Sequence, residues 1–339
     1  MLRSVWQLSV DTGAHKHFAA GRIRMDRLIW KRSKTPFTTR LTRTSMVVLR
    51  VCVMCSPTRV RIFAYTGTGF TKEERQKMGL RGLLPPSVQT MEQQLARVEH
   101  QIATKPTTFD KHITLMNMRQ RNERLFYAYI LKHMRSTLPL VYTPVVGESC
   151  QKFSKMFRRP EGMTITLEDK GSVAECVANW PRPADTPRIA VITDGSRILG
   201  LGDLGWNGLG ICIGKLSLYV AGAGVHPQST VPIVVDVGTD SDEVRDDPLY
   251  LGLQRKRPKT EELVEFVDEV MEALNAKYPN LIIQFEDWSS EHAFLFLERY
   301  QNKYPMFNDD IQGTGAVILA GFINAARMCS AASGRELVD

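Results

Sequence analysis

From Thr90 to Lys132, polar and apolar residues alternate at helical spacing, with Pro106 the one proline and no glycine inside. Leu138-Pro-Leu-Val-Tyr-Thr-Pro144 is predicted to break that run. Ahead of it, Thr71-Lys-Glu-Glu74 has capping-box spacing for a short helix that Arg81-Gly-Leu-Leu-Pro-Pro86 stops. The block therefore reads as a small all-helical domain, ordered from about Gly69. After residue 160 the period changes. Ile189–Thr193, Pro232–Val235 and Leu281–Phe285 are short β-branched or apolar runs, ending at Asp194, Asp236 and Glu286-Asp287. Met306-Phe-Asn-Asp-Asp310 is a fourth candidate. Helical patterns separate them at about Asn207–Ala221, after Thr260 and at Glu291–Asn302, and another begins near Gly313. In the second, Thr260 is predicted to cap a stripe of Leu263, Phe266, Val267, Val270, Met271 and Leu274. Strand alternating with helix predicts an α/β fold with parallel pairing and right-handed crossovers.

Composition sets the bounds. A chain of 339 residues with 43% hydrophobic content has room for about two domains. No window of 18 apolar residues exists, so a transmembrane helix is not expected. Six cysteines in this length are no disulfide framework and suit a reducing compartment. The net charge of +8 is lopsided. Residues 1–62 carry 10 Arg and 3 Lys against Asp11 and Asp26, whereas the remainder is mildly acidic at −3. No nucleic-acid surface is expected on the folded part. The leader lacks Glu and suits a mitochondrial presequence; a basic tail, or sequence upstream of a later start at Met25, Met46 or Met54, fits equally. Its Cys52-Val-Met-Cys55 has no second pair at zinc spacing and reads as accidental.

Parallel sheets bind ligands beyond the carboxyl ends of their strands. Those ends here carry Asp194, Asp236, Glu286-Asp287 and Asp309-Asp310. Each alone reads as a helix cap. Together, oxygen donors without Cys or His at metal spacing select a hard divalent ion, Mg2+ or Mn2+. Glu286 and Asp287 can converge only if their strand has already ended, because neighbours on a strand face opposite ways. Lys215 is the one charged side chain across the 32 residues from Leu204 to Val235, in a helix apolar on nearly every side. Burial is expected to lower its pKa from about 10.4 to about 7.5, worth about 4 kcal/mol, as a general base needs; a snorkelling lysine is the bland alternative. Gly200-Leu-Gly-Asp-Leu-Gly205 matches G-x-G-x-x-G. Taken literally it is a nucleotide loop, but its distance from the strand end favours a close-packed loop positioning Arg197 and Lys215. Arg197 suits a carboxylate clamp, or a surface ion pair. Tyr142, where the two patterns meet, suits a proton donor, or a buried phenol with a satisfied hydroxyl.

These motifs together resemble the malic enzymes, over roughly Gly69 to Cys329. The resemblance rests on Met78-Gly-Leu-Arg-Gly-Leu-Leu-Pro-Pro86, Arg121-Asn-Glu-Arg-Leu-Phe-Tyr127, Val141-Tyr-Thr-Pro144 and the stretch from Asp194 to Gly205. Gly214-Lys-Leu216, Gln284-Phe-Glu-Asp287 and Phe307-Asn-Asp-Asp-Ile-Gln-Gly313 extend it in the family's order. It implies oxidative decarboxylation of malate to pyruvate and CO2 with NAD or NADP and a divalent metal. It further implies Tyr142 as the acid that protonates C3 of enolpyruvate, and Lys215 as the base on the C2 hydroxyl assisted by Asp309. Arg197 would hold the malate carboxylate near the nicotinamide, and Glu286, Asp287 and Asp310 would bind Mn2+ or Mg2+. Asp194 and Asp236 then take structural roles.

The organisation expected from this is a basic leader at 1–66, a helical domain at 67–158, an α/β malate-binding domain at 159–308 and, at 309–339, the start of a Rossmann domain largely missing. On that basis the chain alone is expected to have little oxidative activity. The competing expectation is a non-catalytic malate- or metal-binding module, or one that pairs with full-length subunits. Family membership implies a homo-oligomer with malate and pyruvate as its partners, and neither nucleic acid nor membrane; location is expected to be mitochondrial, with cytoplasmic the alternative.

Overall fold

Five short strands form one all-parallel sheet in the order β1-β3-β2-β4-β5. They are β1 (Met163–Thr166), β2 (Ile189–Thr193), β3 (Thr230–Asp236), β4 (Ile282–Phe285) and β5 (Met306–Asn308). The computed structural model describes residues 67–183 and 185–333. The leader and its Cys52–Cys55 pair lie outside the described residues.

Helices α1 (Lys72–Lys77), α2 (Met91–Ala103), α3 (Thr108–Arg121), α4 (Glu123–Lys132), α5 (Met134–Val141), α6 (Val145–Gln151) and α7 (Phe153–Met156) precede the sheet. Thr71 caps α1 with the expected reciprocal bonds to Glu74. Thr90 caps α2 the same way with Gln93. The single run read from Thr90 to Lys132 is broken twice, at 104–107 and at Asn122, whose side chain caps α4 by accepting from Leu125 N–H. The predicted break at Leu138 falls later. Pro139 lies inside α5, which ends only at Tyr142; one missing N–H is tolerated there because α5 has Thr137, Leu140 and Val141 buried to hold it. The apolar faces of α2, α4 and α5 share a core with Val220 and Ala221 of a later helix.

Among the sheet elements, α8 (Val173–Ala178) follows β1, α9 (Leu209–Ala223) joins β2 to β3, and α10 (Asp242–Arg245) and α11 (Thr260–Lys277) lead to β4. Then come α12 (Ser290–Tyr300), β5, a π-helical turn at Asp309–Gly313 and α13 (Thr314–Ser333). The strand pleat divides the side chains between two faces. Ala190, Ile192, Ile233, Val235, Ile283 and Phe285 pack with α8, α11 and α12. Val191 packs with α9 and α6, and Val234 with α9 residues Leu209 and Ile213. The predicted α11 stripe is buried in full. Its N-cap, however, is Lys259, and Thr260 is the first helical residue with its hydroxyl near His292. β1 is a strand the sequence pattern did not reveal. Among the described residues no helix is long and apolar enough to cross a membrane.

This topology fixes where a ligand can sit. From β2 the chain leaves through α9 over one face, whereas from β4 it leaves through α12 over the other. β2 and β4 are neighbours, so a crevice opens between their carboxyl ends, the switch point where such sheets bind ligands.

Candidate active site

Both walls of that crevice are built from the acid-bearing strand ends. β4 stops at Phe285, and Asp287 then turns into the left-handed region at φ 55°, a conformation Asp tolerates better than most residues. The turn frees Glu286 and Asp287 from the strand's alternation. β5 stops at Asn308, so the predicted strand to Asp310 is shorter and Asp309-Asp310 open the π-turn. One ligand oxygen each from Glu286, Asp287 and Asp310 lie within 4.8 Å of one another. Asp310 Oδ2 also accepts from Asp287 N–H at 2.8 Å.

Lys215 enters from α9. Its ammonium donates to Asp309 Oδ2 at 2.6 Å and to Glu286 Oε1 at 3.0 Å, with the side chain 13% exposed. Tyr142 reaches the same carboxylate: its hydroxyl donates to Glu286 Oε1 at 2.7 Å and lies 3.5 Å from Lys215 Nζ. Gly214 permits that approach, because a Cβ there would sit 2.9 Å from the Tyr142 ring and 3.0 Å from the Val141 carbonyl. Arg197, on the exposed loop after β2, bonds Ser290 Oγ, and its N–H donates to the Asp287 carbonyl at 3.3 Å. The fold thus gathers Tyr142, Lys215, Glu286, Asp287, Asp309 and Asp310 at one crevice, with Arg197 on its rim.

The electrostatics depart from expectation at Lys215. Desolvation pulls its pKa down, as the apolar helix suggested. Glu286 and Asp309 outweigh that, and the amine ends above the ordinary lysine value. The sequence correctly signalled burial but could not say that two carboxylates would face it. Burial, then Glu286, holds the Tyr142 phenol far above its ordinary range, so it stays protonated. Burial, then Glu286 and Asp310, pushes Asp287 up to about 8. Burial leads the rise of Glu286 and Asp310 as well. Three oxygen donors whose charges repel and are only partly offset by one ammonium fit a hard divalent cation, Mg2+ or Mn2+.

Asp194 and Asp236 stand apart from this group. Asp236 accepts from the N–H groups of Gly238 and Leu253. Asp194 is fully buried and binds Arg257, a residue the sequence did not single out. Arg257 also grips Asp203 with two parallel bonds of 2.8 Å. Asp194 Oδ1 accepts from Ser196 Oγ, which in turn accepts from Ser289 N–H at 2.7 Å, tying the Arg197 loop to the loop after β4. The glycine loop is close-packed only at its end. A Cβ on Gly205 would lie 2.2 Å from the Tyr250 hydroxyl, whereas Gly200 and Gly202 face open space. What holds the loop is therefore Asp203 in the grip of Arg257, more than its glycines. Gln284 and Tyr219 are further residues that sequence reasoning passed over. The available signals were an amide inside an apolar strand and an arginine within a basic run, Arg255-Lys-Arg257, that reads as solvated.

A doubly wound sheet whose switch point collects a carboxylate triad, a lysine and a protonated phenol defines an α/β protein with a polar, charged crevice at its strand ends. A model of the malic enzyme N-terminal domain matches residues 119–301, more than half of the chain, which therefore belongs to the malic enzyme family. It is 48% identical over 283 residues to the mitochondrial NAD-dependent malic enzyme of Solanum tuberosum, covering 80% of this chain and 44% of that one. Against the NADP-dependent malic enzyme of Dictyostelium discoideum it is 49% identical over 264 residues, covering 78% and 48%. Against that of Homo sapiens it is 46% identical over 260 residues, covering 76% and 45%. The chain spans about half the length of these relatives.

Proposed function

We propose that this chain forms the malate- and metal-binding part of a malic enzyme, which converts malate and NAD or NADP to pyruvate, CO2 and the reduced dinucleotide. The observation that carries the reading is the shared Glu286 carboxylate: it accepts from both Tyr142 and Lys215 while belonging to the triad with Asp287 and Asp310. A divalent ion held by Glu286, Asp287 and Asp310 would supply Lewis-acid polarisation of a substrate oxygen.

The remaining roles fall to this chain's own groups. Arg197 binds a carboxylate of malate at the crevice rim, beside Asp310, whose proton affinity it lowers. Lys215 carries a proton in the arrangement described, so it must release it before acting as a base; Asp309 Oδ2, at 2.6 Å, is placed to take it. The freed amine then accepts the proton of the C2 hydroxyl; a nicotinamide dinucleotide, when bound, would supply the hydride acceptor for C2. Once CO2 has departed, enolpyruvate needs a proton at C3, and Tyr142 is a phenol kept protonated beside Lys215, which can return the proton to it.

The test is calorimetric titration of the chain with Mn2+ and with malate, and the malate-dependent reduction of NAD and of NADP assayed side by side. Mn2+ binding is expected to be lost in D287N, and malate binding to weaken about 10- to 100-fold in R197Q, the worth of a charged hydrogen bond. Mn2+ affinity unchanged by D287N, or malate affinity unchanged by R197Q, would overturn the assignment. The arginine-rich leader and relatives named as mitochondrial support targeting to that organelle. Fusion of residues 1–66 to a fluorescent protein tests it; diffuse cytosolic signal would be the contrary result.

A further inference from the structure

β4, between the neighbouring strands β2 and β5, reads Ile282-Ile-Gln-Phe285, and its one polar side chain, Gln284, is fully buried. Burying an amide costs several kcal/mol unless both ends are bonded, and here both are. Gln284 Nε2 donates to Glu286 Oε2, two residues on and on the same side, and Gln284 Oε1 accepts from the Tyr219 hydroxyl at 2.5 Å. Tyr219 projects from α9 one helical turn beyond Lys215. Glu286 therefore has both oxygens engaged: Oε1 by Tyr142 and Lys215, Oε2 by Gln284.

The direction of this relay follows from chemistry. Glu286 accepts at Oε1 from Tyr142 and Lys215 and offers Oε2 as a further acceptor, so Gln284 turns its NH2 towards it and its carbonyl towards Tyr219, which donates. A Tyr219 hydroxyl that donates thus prevents the amide from flipping. We infer that Gln284, locked by Tyr219, is a positioning residue that holds the Glu286 carboxylate in place for a divalent cation. Neither residue belongs to the carboxylate triad; the hydrogen bonds run from Tyr219 to Gln284 and from Gln284 to Glu286. The inference rests on the metal-site reading proposed above.

The experiment measures Mn2+ affinity of the chain by calorimetry, and free Mn2+ by electron paramagnetic resonance, for wild type, Q284M, Y219F, the double variant and D287N. Losing a partner that orients a metal ligand weakens affinity about 10- to 100-fold, the expected effect of Q284M. Y219F is expected to lose several-fold, and the double variant no more than Q284M alone, because the two act in series. A general packing defect would instead add the two losses and lower the melting temperature in EDTA in parallel. Wild-type affinity in Q284M, or additive losses, overturns the relay. Should Q284M not fold, Y219F decides by itself, and unchanged affinity there counts against the lock. If the wild type binds no Mn2+, or D287N binds as well as wild type, the metal site itself fails and this inference with it.

Discussion

Asp194 and Asp203 on one wall of the β2–β4 crevice, and Glu286, Asp287 and Asp310 on the other, crown the same sheet edge with opposite electrostatic outcomes. In the first group a single guanidinium, 11% exposed, reaches both carboxylates with three hydrogen bonds and the Asp194 backbone carbonyl with a fourth. Burial alone would raise Asp203, but Arg257, with the N–H groups of Asp240 and Gly205, more than reverses it, and its pKa ends below the ordinary value. In the second group burial wins over the one ammonium available, and all three acids end above theirs. Carboxylates above one sheet edge thus become either a clamp neutralised by Arg257 or a triad whose charge the chain only partly offsets. The difference is how much of the neutralising charge the chain supplies from its own cations.

The largest effect is expected from breaking the clamp. Arg257→Met leaves Asp194 fully buried without its guanidinium, and removing one partner of a buried ion pair costs about 3–5 kcal/mol. Urea unfolding should register that loss, and Arg257→Lys should recover only part of it, since an ammonium cannot make the paired bonds to Asp203. A loss below about 1 kcal/mol would mean that the clamp is no better than a surface pair.

The same contrast predicts pH slopes of opposite sign. Asp203 has its folded pKa depressed, so its contribution is present above the unfolded value of about 3.9 and lost as pH falls below it. Asp287 has its folded pKa raised to about 8. Its contribution is therefore unfavourable, absent below about pH 4 and growing until pH 8. Stability in EDTA should fall from pH 5 to pH 8, and saturating Mn2+ should abolish the fall. Asp287→Asn should flatten the profile and stabilise the cation-free chain at pH 8 by about 2 kcal/mol. The gain stays below the full rise, at about 1.4 kcal/mol per tenfold proton affinity, because an amide must still be buried. A profile in EDTA that rises towards pH 8 would refute the picture of an uncompensated triad.

Much of this was legible in the chain. β2, β3 and β4 announced themselves as apolar runs ending in acids, and the pleat already required β4 to stop before Glu286 and Asp287 could converge. Lys215 stood out because nothing else in its surroundings was charged. What stayed hidden is non-local. Arg257 lies 63 residues from Asp194, and Asp309 lies 94 residues from Lys215; no local spacing reports who will face whom. The sign of the Lys215 perturbation was lost for that reason: its own helix is apolar, while its partners arrive from β4 and the π-turn. β1, four residues long, is too short for alternation to register.

The smallest expected effect sharpens the comparison at the loop that joins the two walls. If the loop from Asp194 to Gly205 is held by the grip of Arg257 on Asp203, its open glycine should be dispensable. A Cβ on Gly200 meets nothing within 4 Å, so Gly200→Ala should change stability by less than about 0.5 kcal/mol and leave malate and Mn2+ binding intact. Gly205→Ala is the contrasting control, since its Cβ would strike the Tyr250 hydroxyl at 2.2 Å from a backbone at φ 53°. A loop that bound a ligand through bare backbone at Gly200 would respond the other way, with Gly200→Ala weakening binding at unchanged stability. Melting curves of the two variants, each with and without Mn2+ and malate, separate these cases.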